Sequence, residues 1–242
     1  MYFQSEPLIK SSTLVARSYA QHCGLARALD FVGERWTLLI VRELMAGPRR
    51  YTDLADGLMT IPSNLLATRL REMEANGLIA RRRLPAPASS VVVYELTDDG
   101  ESLSTAVIEL ARWGMRTLPV TTGGRPLRAH WLVLALHARF DPRAAAGVSE
   151  SYELQLDGEE PVSFEVTAGD GHARMGPAAD PAVRIAGDAD TLVALTAGTI
   201  SGLEAVHRGA RIEGDPAALE RMRRILPGGP IAASGQPVAQ AR

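Results

Sequence analysis

Ser63, Asn64, Thr68, Arg69 and Arg71 put hydroxyl, amide and fork-ended guanidinium donors within one short stretch. At about 100° per residue, Asn64, Thr68 and Arg71 fall on one helix face, flanked by Ser63 and Arg69. Leu66, Leu70 and Met73 recur at i, i+4 and i+7 on the opposite face, which commits that face to packing. Side chains of these types reach base edges in a DNA major groove, so the chemistry they offer is recognition. The chain shows no catalytic set. His22, His130, His137, His172 and His207 form neither an H-x-x-x-H pair nor an H-E-x-x-H zinc helix, and there is no G-x-S-x-G elbow and no phosphate-gripping glycine loop. One cysteine, Cys23, rules out an internal disulfide and a cysteine-based zinc cluster, and it fits a reducing cytoplasm. No cofactor or metal is expected.

The elements that must position those donors run from Tyr51 to Leu96. Thr52 is a suitable N-cap for a helix from Asp53 to Leu58, and a tight turn leads into the donor-bearing helix. Asn76-Gly77 ends that helix with a left-handed stop. Leu78-Ile79-Ala80 then begins a strand that runs into Arg81-Arg82-Arg83, and Val91 to Leu96 returns as its partner around a turn-forming tip, Pro85 to Ser90. Helix, turn, helix and basic hairpin make a winged helix. Upstream, Leu25 to Val32 has helical spacing and Gly33 interrupts. Glu34 to Met45 is an amphipathic helix with Trp36, Leu39, Ile40 and Leu44 as its buried stripe, closed by Gly47-Pro48. Charge is partitioned to match. Arg35 to Arg83 holds nine arginines and five acids, whereas the chain after Pro119 holds 12 arginines and 15 acids, against a net charge of −2 overall.

CGLARALDFVGERWTLLIVRELMAGPRRYTDLADGL, LLATRLREMEANGLIARR and YELTDDG together resemble the HxlR-type branch of winged-helix bacterial regulators, over about Cys23 to Leu118. One departure is visible: the family opens the recognition helix with Ser-Pro, and here the order is Ile61-Pro62-Ser63-Asn64. The resemblance implies double-stranded DNA as partner, with Ser63, Asn64, Thr68 and Arg69 at the groove. Arg81, Arg82 and Arg83 would lie on or beside the wing, and Arg49 and Arg50 would touch backbone. It also implies a homodimer held by the N-terminal helix and the helix after the wing, where Leu103, Val107, Leu110 and Trp113 form an apolar stripe. Two-fold symmetry then calls for a pseudo-palindromic operator. Some members sense oxidants or electrophiles through a cysteine at the position of Cys23. A lone cysteine is more often a small buried hydrophobe, and this chain has no second cysteine to resolve a sulfenic acid.

The second half changes texture. Residues 119–126, PVTTGGRP, read as a linker. Leu127 to Phe140 is an apolar helix. Period-2 segments at 151–156, 162–166, 172–175 and 183–185, split by Gly and Asp turns, read as an antiparallel meander. Asp190 can cap a helix from Leu192 to Ala197, Ile200 to Val206 is helical, Ala210 to Gly214 is a strand, and Asp215-Pro216 starts a last helix to Leu226. The phrases YELQLDG, PAVRIAGDADTLVAL and RIEGDPAALERMRRIL resemble the sterol-carrier-protein-2-like fold, a five-stranded sheet covered by helices with an apolar cavity. That resemblance implies an apolar or amphipathic small-molecule effector and offers Trp131, Leu134, Phe164, Met175, Leu192, Leu195, Ile200, Leu203 and Val206 as lining; an ordinary core would use the same residues.

The fold class expected is α+β: a winged helix over 6–118, a linker at 119–126, an SCP2-like domain over 127–226 and a disordered tail at 227–242. Residues 1–5 have the look of a cleavable-tag remnant. No apolar run is long enough to span a bilayer, so no membrane partner is expected. The leading reading is a ligand-responsive transcriptional regulator, a repressor, acting in the cytoplasm. Two others stay open: a regulator switched at Cys23 with a structural second domain, and a lipid- or drug-binding carrier.

Overall fold

The computed structural model describes residues 18–85 and 91–228. The tag remnant, most of the wing tip and most of the tail lie outside the described residues. The chain divides into two compact units, Met1–Val107 and Ile108–Arg242.

In the first unit, α1 (Gly24–Val32) is followed by α2 (Thr37–Met45). Helix α2 starts three residues later than its apolar pattern predicts, and its buried stripe is Thr37, Ile40, Val41 and Leu44. Leu39 is exposed and Trp36 only half-buried, which corrects the expected stripe. Gly47 takes a φ of 115°, where a side chain would be strained, and turns the chain toward α3 (Tyr51–Leu58). Thr52 is inside that helix and does not cap it. The cap position is Arg50, whose N–H donates to the Asp53 carboxylate at 3.0 Å.

Helix α4 (Ser63–Ala75) buries Leu66, Leu70 and Met73, as its heptad-like spacing requires. The Tyr51 hydroxyl donates to the Ser63 carbonyl at 2.8 Å, which ties the start of α4 to the start of α3. At the other end Leu78 N–H bonds the Met73 carbonyl and Gly77 N–H bonds that of Glu74, with Gly77 at φ 75°. This is the left-handed helix stop that Asn76-Gly77 predicts. Strands β1 (Ile79–Leu84) and β2 (Val91–Leu96) pair antiparallel, with Arg82 opposite Val93. Arg49 joins them as a one-residue bridge to Tyr94, with reciprocal N–H···O bonds of 2.9 and 2.7 Å. The short helix α5 (Asp98–Ser102) is capped by Thr97, and α6 (Ser104–Met115) follows, crossing from one unit into the next.

The second unit opens with α7 (Ala129–Arg139), then β3 (Glu150–Leu156), β4 (Val162–Thr167), β5 (Asp170–Met175) and β6 (Val183–Gly187). Next come α8 (Ala189–Thr196), α9 (Gly202–His207), β7 (Arg211–Gly214) and α10 (Pro216–Ile225). The five strands form one sheet in the order β5-β4-β3-β6-β7. The expected simple meander is wrong for half of it: β3 pairs β6 in parallel, Leu154 facing Ile185, and only β5-β4-β3 is a meander. The cap of α8 is Asp188, which accepts from Thr191 N–H at 3.0 Å; Asp190 instead accepts from Thr122 N–H and Oγ1, ahead of α7, at 2.6 and 2.7 Å. Tyr152, Leu154, Phe164, Ile185, Leu192 and Ile225 are the fully buried large side chains of this unit. Among the described residues no helix is long and apolar enough to cross a membrane.

Candidate functional site

Helix α4 has a strict division of labour. Leu66 is 0 % exposed, Leu70 and Met73 2 %, while Ser63, Asn64 and Arg71 face outward and Thr68 is half-buried between them. The buried row fixes the helix in its unit, so the outward row is held on a rigid element. Within that row the donors bond locally. Thr68 Oγ1 donates to the Asn64 carbonyl at 2.9 Å; Arg71 donates from Nη2 to Thr68 Oγ1 at 3.1 Å and from Nε to the Ala67 carbonyl at 3.2 Å. Asn64 Oδ1 accepts the Leu65 N–H at 2.9 Å, leaving its amide NH2 outward-facing on an exposed residue. These bonds lie on the surface and can be exchanged for others at little cost.

Arg69 differs from its neighbours. Its side chain is only 15 % exposed and its guanidinium is held by two carboxylates, Glu34 at 2.8 Å and Glu72 one turn along α4. Glu34 precedes α2, so the arginine locks α4 to the preceding segment. The structure thus does not present Arg69 beside Asn64 and Thr68 as a free donor; it places it in the frame that orients them. The i, i+3 spacing of Arg69 and Glu72 is visible in the sequence, whereas Glu34, 35 residues away, is not.

On the wing, Arg81, Arg82 and Arg83 are all exposed. Arg81 lies over the Tyr94 ring, 5.7 Å from its centroid. Arg82 is clamped by Glu95: Nε is 2.9 Å from both carboxylate oxygens, and Nη2 is 2.8 Å from Oε2. The contact is diagonal, since Arg82 is opposite Val93 and Glu95 opposite Ala80. Hydrogen bonding to the Arg82 guanidinium holds the Glu95 carboxyl below its ordinary range. Arg83 has no carboxylate partner among the described residues. Arg49 is half-buried and engaged through its backbone in the bridge to Tyr94; Arg50 is exposed at the α3 start.

Cys23 sits at the N-cap position of α1 and is exposed. The backbone N–H groups of Ala26 and Leu25 stabilise its thiolate and push its pKa below the ordinary thiol value. Arg27 is not its counter-ion: it lies over Phe31 at 4.4 Å and pairs with Asp30 at 3.6 Å.

The residues expected to line an apolar cavity differ in burial. Leu203 and Val206 are 69 % and 46 % exposed. Phe164 packs edge-on against Phe140, ring centroids 5.6 Å apart, and fills the space between α7 and the sheet. Leu134, Leu192 and Ile200 are buried in ordinary core, and Trp131 and Met175 are partly exposed. Of the nine, only Leu195 lines the cavity of about 470 Å³ found at the ends of α7, α8 and α10. Its walls include Leu136, Met222 and Leu226, with Arg139 and Arg223 among them. Sequence reading missed Arg139 because an arginine in the last turn of a helix ordinarily answers the helix dipole.

Comparison with known proteins agrees with this geometry. Residues 31–122 match the family model for the HxlR-like helix-turn-helix. An uncharacterized HTH-type transcriptional regulator of Mycobacterium tuberculosis is 41 % identical over 122 residues, spanning 49 % of this chain and 72 % of that protein. The HTH-type transcriptional regulator YodB of Bacillus subtilis is 35 % identical over 86 residues, spanning 36 % of this chain and 76 % of its own. Among solved structures, the reduced form of YodB is 32 % identical, covers 40 % of this chain and 95 % of its own, and gives a TM-score of 0.36. With the helix-turn-helix, the paired wing strands and relatives at this identity in hand, the chain belongs to the HxlR-like helix-turn-helix family of bacterial transcriptional regulators.

Proposed function

We propose that the chain is a homodimeric, effector-responsive repressor whose α4 enters the major groove of double-stranded DNA while the β1-β2 wing lies along the flanking phosphates. The observation that carries this is the two-faced α4, with Leu66, Leu70 and Met73 fully buried and Ser63, Asn64, Thr68 and Arg71 on the other side. In this reading Asn64, Thr68 and Arg71 contact base edges, Arg83 and Arg50 contact phosphates, and Arg81 and Arg49 flank them. Arg69 is a positioning residue. Arg82 becomes available to DNA only by exchanging Glu95 for a phosphate.

Dimerisation uses the exposed apolar row of α6, where Leu110 is 52 % and Trp113 69 % exposed, side chains too large and apolar to be left in water without a partner. The regulator domain then extends through α6 to residue 118, and two copies of α4 read half-sites of a pseudo-palindrome about one helical turn apart. The second domain, over 127–226, is read as SCP2-like and as the sensor, supported by its five-stranded sheet with helices and by the cavity beside α10. A ligand regulates only if it binds the DNA-bound and DNA-free arrangements with different affinity.

The test is the salt dependence of duplex binding. Arg83→Ala is expected to flatten the slope of log K against log salt by about 0.9, the release expected for one phosphate contact. An unchanged slope removes the wing from the interface. A second reading is favoured by the exposed, pKa-lowered thiol at the α1 N-terminus: Cys23 as an oxidant or electrophile switch. Cys23→Ser then abolishes an oxidant response and leaves effector response intact; if oxidants release wild type and Cys23→Ser from DNA equally, that reading fails.

A further inference from the structure

The cavity in the second unit has apolar walls and two cations. Leu136, Leu195, Met222 and Leu226 are each buried and supply the apolar surface. Among the described residues Arg139, at the end of α7, makes a single hydrogen bond, from Nη1 to the Pro227 carbonyl at 3.0 Å, and no carboxylate among them lies within ion-pair distance of it. A guanidinium has five N–H donors, so most of this one's capacity is unspent. Arg139 is half-buried, and that burial lowers its pKa from the ordinary arginine value. Among the described residues Arg223, the second cation, has only a 3.6 Å contact to Glu220, whose side chain is 70 % exposed.

Three helix C-termini converge on this space, and their unsatisfied carbonyls would ordinarily favour a cation. Here the end of α8 is already answered from within. Thr196 Oγ1 donates to the Leu192 and Val193 carbonyls, Thr199 N–H and Oγ1 both donate to that of Ala194, and Gly198 N–H donates to that of Leu195. At the end of α10, the Ile225 carbonyl accepts from Asp141 N–H and the Met222 carbonyl from Leu226 N–H. With those lone pairs engaged, Arg139 and Arg223 set the sign of the site.

We propose that this cavity binds a hydrophobic organic acid, its carboxylate forked onto Arg139 and its apolar body among Leu136, Leu195, Met222 and Leu226. A carboxylate matches the guanidinium fork bidentately, and about 470 Å³ accommodates an apolar body of roughly ten carbons. The inference deepens the sensor part of the proposed function and rests on it only for its regulatory consequence, since binding is measured without DNA.

The experiment is calorimetric titration of the full chain with 2-naphthoate and decanoate, and with the neutral 2-naphthylmethanol and decanol. The acids are expected to bind wild type more tightly than their alcohols. Arg139→Met should weaken the acids by about tenfold or more and the alcohols by less than about twofold. Arg139→Lys should fall between, since it keeps the charge and loses the fork. In case Arg139→Met loosens the fold through Pro227, Thr199→Trp, at an exposed lining position, blocks the cavity without touching the arginine and should abolish binding of acid and alcohol alike. Equal affinity for acid and alcohol, absence of binding at millimolar ligand, or unaltered binding in Thr199→Trp each overturns the proposal. A parallel duplex titration separates the two readings: acid binding without DNA binding sinks only the regulator mechanism, and the reverse sinks only the cavity.

Discussion

Replacing Glu95 with Gln isolates what the wing contributes. In the native hairpin the Glu95 carboxylate grips Arg82 through three contacts of 2.8 to 2.9 Å and cancels the charge the wing could offer to a phosphate. The two side chains are 48 % and 28 % exposed, so water screens the pair and its loss should leave folding stability nearly unchanged. Binding responds differently. Gln keeps an acceptor for one N–H but removes the charge, and the freed guanidinium adds about one phosphate contact, steepening the slope of log K against log salt by about 0.9. Over the range from about 50 mM to about 200 mM salt, the variant should lose about 3.5-fold more affinity than wild type. This electrostatic part is independent of sequence, so anisotropy titration of a generic labelled duplex suffices, with a melting curve to confirm the fold. Arg82→Ala should change the slope less than Arg83→Ala, because the Arg82 charge is already compensated. A Glu95→Gln slope equal to wild type, with unchanged melting, refutes the placement of the wing on phosphates.

Gly57→Ala should lower the melting temperature although alanine is the better helix former by about 1 kcal/mol. Its Cβ would sit 2.1 Å from Glu43 Oε2 and 2.8 Å from Cδ, and Glu43 is fully buried, so overpacking of about 1–3 kcal/mol is expected to prevail; a variant at least as stable as wild type would show that Glu43 has room. Tyr51→Phe removes the hydroxyl that pins Ser63 and should cost about 1 kcal/mol in urea denaturation, with weaker duplex binding as α4 loosens at its reading end. Asp188→Ala removes the α8 cap and should cost about 1 kcal/mol at neutral pH. Bonds from the Thr191 hydroxyl and N–H hold the Asp188 carboxyl below its ordinary range, so its stabilisation is present above the ordinary aspartate pKa and disappears as pH falls through the depressed folded one; the two proteins' stabilities should converge in acid. Trp113→Glu should shift sedimentation from dimer to monomer, and an unchanged mass would place the dimer contact off α6.

How much of the site was legible depends on whether periodicity or partners decide a side chain's role. Spacing alone separated Leu66, Leu70 and Met73 from Asn64, Thr68 and Arg71, because a helix rotates each residue by a fixed angle. The same rule puts Arg69 at the edge of the outward face, and there it fails, because a long side chain at a boundary goes to whichever partner is nearer. Two carboxylates, one of them 35 residues upstream, draw it inward. Arg82 misleads for a related reason. It is exposed, as a wing arginine should be, yet its charge is compensated by Glu95, and only the hairpin register reveals that. Composition counts cations; function depends on uncompensated ones.

The second unit shows the complementary limit. Each strand was legible from its alternation, but pairing is a non-local choice that alternation does not encode. Gly/Asp turns between successive strands favour hairpins, and that holds for β3, β4 and β5, whereas the loop after β5 returns the chain to the far edge of β3, and Val183 to Gly187 pairs there in parallel. Of the apolar residues expected to line a pocket, Phe164 packs edge-on against Phe140, and Leu203 and Val206 are exposed. Space is left where three helix ends meet without a large side chain to fill it, and what distinguishes that space is a cation lacking an anion. An arginine left underpaired at a cavity wall keeps donor capacity that a ligand anion can use; that is the reason to look for the proposed effector at Arg139 and not among the most apolar residues of the core.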